Sequence, residues 1–333
     1  MRKQTYWWML LGTALLVLMT WAAQAGWQQV GQMDFTTDSF DLAIDSGDTP
    51  YVAYRTVQKA SVMRFNGASW EQVGAAGFSP GSAYDISFAL DSSGTPYVAY
   101  QDSANGGKAS VMRFNGTSWE QVGVAGFSPD SAEDIQLALD SNGRPYVAFS
   151  YWDYANGGKA SVMRFNGASW EQVGTAGFSP DSAGDISLAL DSSGRPYVAF
   201  SYWDSTNNRS KVGVMRFNGT SWEQVGAAGF SLGDEASGIQ LALDSSGRPY
   251  IAYRDGYDDY GKASVMRFNG TNWEQVGAAG FSPGSSYNPS LALDSNDRPY
   301  VAFRYWEGVS VMRFVPDIAI TPVYELLLLK KKQ

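Results

Sequence analysis

Apolar and polar positions along the chain fall into four short recurring patterns. In DISLALD, Ile186, Leu188 and Leu190 alternate with Ser187 and Ala189. This is the period-two spacing of a strand with one covered face. PYVAF is β-branched and aromatic, with proline at its first position, where a strand tolerates it. SVMRF and WEQVG are short and bounded by turn residues. DSSGRP and NGTS supply turn chemistry: Gly and Asn accept positive φ, and Asp bonds its own downstream backbone. Helical periodicity is confined to the N-terminal apolar stretch.

Each pattern occurs six times. WEQVG, or WQQVG in the first copy, starts at Trp27, Trp70, Trp119, Trp170, Trp222 and Trp273, at intervals of 43 to 52 residues. The LALD-type motif ends at Asp45, Asp91, Asp140, Asp191, Asp244 and Asp294. Four strands in about fifty residues, repeated six times, predict an all-β, six-bladed β-propeller of four-stranded blades. A two-layer solenoid is the alternative, but it favours shorter periods and needs caps. The repeat region begins with a lone WQQVG and its last repeat stops at SVMRF. Pairing Trp27–Gly31 beside Ser310–Phe314 would close the ring and hide two strand edges.

LALDSSGRPYVAF followed by VMRFNG and WEQVG resembles the NHL-like repeats of secreted bacterial propellers, over about Gly26 to Phe314. The resemblance implies a propeller with a binding role and fixes no ligand. Arg164, Glu171 and Trp170 also match the residue types that fungal fucose-binding lectins carry in each repeat, at a different spacing. The sialidase Asp-box spacing is absent.

Ahead of the repeats, Arg2 and Lys3 precede an apolar run from Trp7 to about Trp21, and Ala23-Gln24-Ala25 offers a cleavage site. This is the secretory signal pattern; an uncleaved anchor is the alternative. The expected organisation is a signal peptide at 1–25, a propeller at 26–315 and a tail at 316–333. Location is then secreted, periplasmic or cell-surface, without stable membrane insertion after cleavage. Four leucines and three lysines in the tail are too few to span a bilayer.

The chain has 24 Lys+Arg, 33 Asp+Glu and no His or Cys. A net charge of −9 disfavours nucleic acid. Lacking His and Cys, the chain has no Ser-His-Asp triad, thiolate nucleophile, disulfide or ordinary zinc site. No cofactor is expected. Any metal would be weakly held Ca²⁺ near Asp85, Asp134 and Asp185, which precede the innermost strand in consecutive blades.

Residues repeated six times read first as scaffold. A four-residue loop at Asn66–Ser69 places Arg64 opposite Glu71, a cross-strand ion pair; a repeated sugar site is the second reading. Asn115-Gly116-Thr117 and its equivalents match the glycosylation sequon, yet Asn-Gly is also a hairpin turn. The loops after PYVAF vary in length, and variable loops on a rigid scaffold are the usual place for binding. There the candidate ligand residues are Tyr151, Trp152, Asp153, Tyr202, Trp203, Asp204, Tyr305, Trp306 and Glu307. Alternation along an extended segment forbids both rings of a triplet from packing inward. The expected function is a secreted, monomeric, non-catalytic binding or adhesion propeller, with a glycan or extracellular protein as partner. The alternatives are an exported hydrolase or lyase acting through carboxylates, with Asp234, Glu235 and Glu133 as singular acids, or a purely structural surface protein.

Overall fold

The computed structural model describes residues 39–152, 157–231, 235–256, 261–305 and 308–314. They form six antiparallel meander sheets around a ring, with one helical turn, Ser103–Asn105, among the described residues. The six-bladed propeller predicted from the repeats is the observed fold. Blade two is representative: Ala83–Leu90 innermost, then Pro96–Asp102, Lys108–Phe114 and the short outer strand Trp119–Gln121. The other inner strands are Phe40–Ile44, Ala132–Leu139, Ala183–Leu190, Ala236–Leu243 and Tyr287–Leu293. Successive inner strands pack side by side around the channel.

In blades one to five the second strand does not alternate in burial. Pro96 to Tyr100 are all buried, because the adjoining blades cover both faces of this strand. Between blades one and two, Tyr51, Val62 and Val73 meet Phe88, Val98 and Tyr100. Equivalent layers recur at the next four blade junctions.

The repeated tryptophan fastens each blade to the one before it. Trp119 Nε1 donates to the Val73 carbonyl at 2.9 Å, and its ring stacks on Phe78 at 4.0 Å. Trp170 does the same to Val122 and Phe127, Trp222 to Val173 and Phe178, and Trp273 to Val225 and Phe230. Each indole thus buries its rings and satisfies its single donor.

The hairpin register follows the sequence reading. Arg64 faces Glu71 and Phe65 faces Trp70, and the same pairing recurs in blades two to five. Arg113 and Arg164 reach Glu120 and Glu171 at 2.6 Å. The Asn of each NG turn accepts the backbone N–H groups two and three residues on, as Asn115 does from Thr117 and Ser118. Blade six shows three described strands. The closing segment Trp27–Gly31 lies outside the described residues.

Candidate functional site

These inner strands begin at Ala83, Ala132 and Ala183, ahead of the aspartates that the sequence reading placed before them, so Asp85, Asp134 and Asp185 lie within the strands. Each sits at a β-bulge with positive φ, at 45°, 53° and 48°. Blade five has Gly238 (φ 60°) and blade six Asn288 (φ 46°) at the same place. Gly, Asn and Asp are the residues that enter the left-handed region most readily, so the bulge selects them. Three consecutive blades meet that demand with a carboxylate.

These carboxylates gather at the channel mouth, on the face of the variable loops. A cavity of about 310 Å³ there is lined by Asp41, Asp134, Gln136, Asp185, Gln240 and Asn288, among others. Burial raises the Asp134 carboxyl, and the charges of Asp185, Asp85 and Glu133 raise it further, to about 6. Burial also raises Asp85, against the backbone N–H of Asp134 and the charge of Arg55. The Asp185 carboxylate accepts the Ser201 hydroxyl at 3.2 Å.

Asp41 was missed by sequence reasoning. Blades two to six carry Ser87, Gln136, Ser187, Gln240 and Ser290 at its position. Two of these serines take a backbone N–H from the next blade: Ser87 from Leu137 and Ser187 from Leu241, both at 3.0 Å. Asp41 does the same for Phe88 at 2.8 Å. Burial raises its carboxyl even against the N–H groups of Phe88 and Leu42. The signal was one acid breaking a Ser/Gln column in the aligned repeats.

The described aromatic-triplet residues extend the second strands toward the same face: Tyr151 ends Pro145–Tyr151, and Tyr202, Trp203 and Asp204 end Pro196–Asp204. Tyr151 is buried against Phe149 and Tyr202 packs near Phe200, whereas Trp152 is 72 % and Trp203 44 % exposed. Asp204 caps its own loop, accepting the backbone N–H groups of Thr206 and Asn207 and the Asn207 amide. Asp153, Trp306 and Glu307 lie outside the described residues, as does Asp234; Tyr305 closes its strand. Glu133 stands beside Asp134. Among the described residues, no group of three or more His, Cys, Asp or Glu side chains has the arrangement of a metal site, and no helix is long and apolar enough to cross a membrane.

No family model and no curated protein sequence matches the chain. Solved propellers do. An ulvan lyase of a polysaccharide lyase family, bound to -[GlcA(1-4)Rha3S]-, is 14% identical with a TM-score of 0.59, over 81% of this chain and 78% of that one. The Penicillium chrysogenum α-L-arabinanase complexed with arabinobiose is 12% identical with a TM-score of 0.54, over 86% and 96%. The Aleuria aurantia lectin, in complex with Fucα1-6GlcNAc, is 13% identical with a TM-score of 0.53, over 84% and 97%. At such identities the likeness establishes the shared fold. The expectation of a non-catalytic binding or adhesion propeller is corrected here. The architecture is shared with carbohydrate-active enzymes as well as a lectin, and the mouth holds carboxylates with a displaced proton affinity. The enzyme alternative has the better support.

Proposed function

We propose that the protein is an exported carbohydrate-active enzyme that hydrolyses glycosidic bonds at the channel mouth. The observation that carries this reading is the Asp134 carboxyl at about 6, surrounded by Asp85, Asp185 and Glu133 in an open polar cavity. Glycoside hydrolysis needs one carboxyl that keeps its proton near working pH and a second that is ionised. Asp134 is the proton donor to the leaving oxygen, and Asp185, which lines the same cavity, is the second carboxyl of the pair. Asp41, on the opposite arc of the mouth, is the third acid available to substrate. Exposed Trp152 and Trp203 are apolar platforms for sugar faces on the approach. Arg2, Lys3, the apolar run and Ala23-Gln24-Ala25 support export, with the mature chain starting at Gly26.

The test is release of reducing ends from a panel of plant and algal polysaccharides, with absorbance at 235 nm reporting any lyase product. Asp134→Asn should lose about 100-fold or more of the activity. The proton donor must be protonated, so wild-type activity should fall as pH rises through about 6. Full activity of Asp134→Asn, or cleavage of no polysaccharide, would reject the assignment.

A further inference from the structure

The face away from the acidic mouth carries a second, larger cavity. Asp85 and Asp91 mark opposite ends of one inner strand, six residues or about 20 Å apart. The groove between blades one and two, at the Asp91 end, encloses about 730 Å³. The corresponding groove between blades four and five encloses about 310 Å³. The difference has a cause in the sequence. The turn residue before the PY motif is arginine in blades three to six, as Arg144, Arg195, Arg248 and Arg298, and threonine in blades one and two, as Thr49 and Thr95. Thr95 lines the groove between blades one and two, where Arg195 and Arg248 line the one between blades four and five.

In blades three to six the turn arginine neutralises its LALD aspartate, with Nε 2.7 to 2.8 Å from the second carboxylate oxygen. In blade two Thr95 gives Asp91 a backbone N–H at 2.9 Å and no guanidinium. Arg195 and Arg248 line the groove between blades four and five together with Arg216 and Asp191, and each arginine there has its own carboxylate: Asp191 for Arg195, Asp244 for Arg248 and Glu223 for Arg216. The open groove holds two guanidiniums, Arg64 and Arg113, and two carboxylates, Glu71 and Asp91. Glu120, 2.6 Å from Arg113, adds a third carboxylate, so the groove carries a small excess of negative charge. Arg64 and Arg113 are each about half exposed, at 51% and 50%, and each is oriented through Nε by a glutamate.

We infer that this groove is a binding site for a neutral oligosaccharide, separate from the mouth. Fixed guanidinium donors and carboxylate acceptors match vicinal hydroxyls, which both give and take hydrogen bonds. A lining with a small excess of negative charge offers no net attraction to phosphate, sulfate or a uronate. The volume falls within the range of about 300–1,000 Å³ usual for small-molecule sites. An enzyme with such a groove holds a polymer at a second point and raises its effective concentration at the mouth.

The experiment is calorimetric titration of the mature protein with cello-, xylo- and mannotetraose, and with tetragalacturonate as the charged comparison. Saturable binding of at least one neutral tetrasaccharide is expected. Thr95→Arg installs the residue that four other blades already carry there; it should weaken binding by about tenfold or more with melting temperature unchanged. Arg64→Gln, which removes a donor from the opposite wall, reads the same loss independently. Arg267→Gln, which alters the equivalent cross-strand pair in blade five, should bind like wild type, because it lies outside this groove. The proposal is overturned if no neutral tetrasaccharide binds, if only tetragalacturonate binds, or if Thr95→Arg binds normally. Loss of binding in Asp134→Asn alone would place the sugar at the mouth, overturning the groove while leaving the catalytic reading intact.

Discussion

Asp134 shows how one position serves backbone and chemistry at once. Its left-handed φ is tolerated because Asp accepts that conformation, and its crowding raises its proton affinity. A carboxyl raised from 3.8 to about 6 on folding binds protons more tightly in the native state. Its contribution to stability is therefore greatest below pH 3.8 and is lost as pH rises through about 6. Asp134→Asn should raise the melting temperature at pH 8 by about 2–4 °C, with the gain vanishing near pH 4; an unchanged or lower value at pH 8 would contradict the crowding. Glycine at the end of each WEQVG is dictated differently. At Gly174, φ is +68°, and an added Cβ would lie 2.8 Å from Phe217 and 2.9 Å from Trp222 of the next blade. Gly174→Ala should cost about 2–4 kcal/mol by chemical denaturation, combining backbone strain with overpacking. The nearby Gly167 is the control: its φ is also positive, but a Cβ there meets nothing within 4 Å.

At the scale of the element, the tryptophan fastener explains a cavity in the last blade. Gly74, Gly123, Gly174 and Gly226 each face the indole of the following blade, whereas among the described residues a Cβ at Gly277 would meet Phe314. A cavity of about 170 Å³ lies there, lined by Val276, Phe281, Met312 and Phe314, among others. These are the counterparts of the groups that seat Trp119, Trp170, Trp222 and Trp273. We propose that Trp27 of WQQVG takes this seat. Trp27→Ala should then lower stability by about 3–5 kcal/mol, and deletion of 26–31 should also promote aggregation through the bare edge strand. Unchanged melting and solubility in both variants would refute the seating.

At the scale of the molecule, the ring sorts its chemistry onto two faces. The bulges and variable loops share the mouth; the uniform turns frame the grooves. The mouth concentrates acids of one sign, so part of the raised Asp134 affinity is electrostatic and screenable. Going from low salt to 0.5 M NaCl should move the upper limb of the pH–activity profile toward lower pH by a few tenths of a unit. A shift toward higher pH would mean that the like charges are not acting on Asp134.

Periodicity in the sequence determined the blades, their strands, the Arg64–Glu71 register and the turn role of Asp91, because each rests on neighbours within one repeat. The alternation argument for Tyr151 and Trp152 was local too, and the tyrosine turns in while the indole stays out. The catalytic candidates were legible only in part. Asp85, Asp134 and Asp185 stood out as a run, but their bulge and altered proton affinity depend on contacts between blades about fifty residues apart. Asp41 looked like an ordinary strand residue until the channel placed it beside them. The groove at Thr95 was likewise two small substitutions in a repeat, and became a cavity only when adjacent blades supplied its walls. Local hydrogen bonding and burial are written in residue spacing. The electrostatics of the mouth and the shape of the grooves arise between blades, so only the closed tertiary structure decides them.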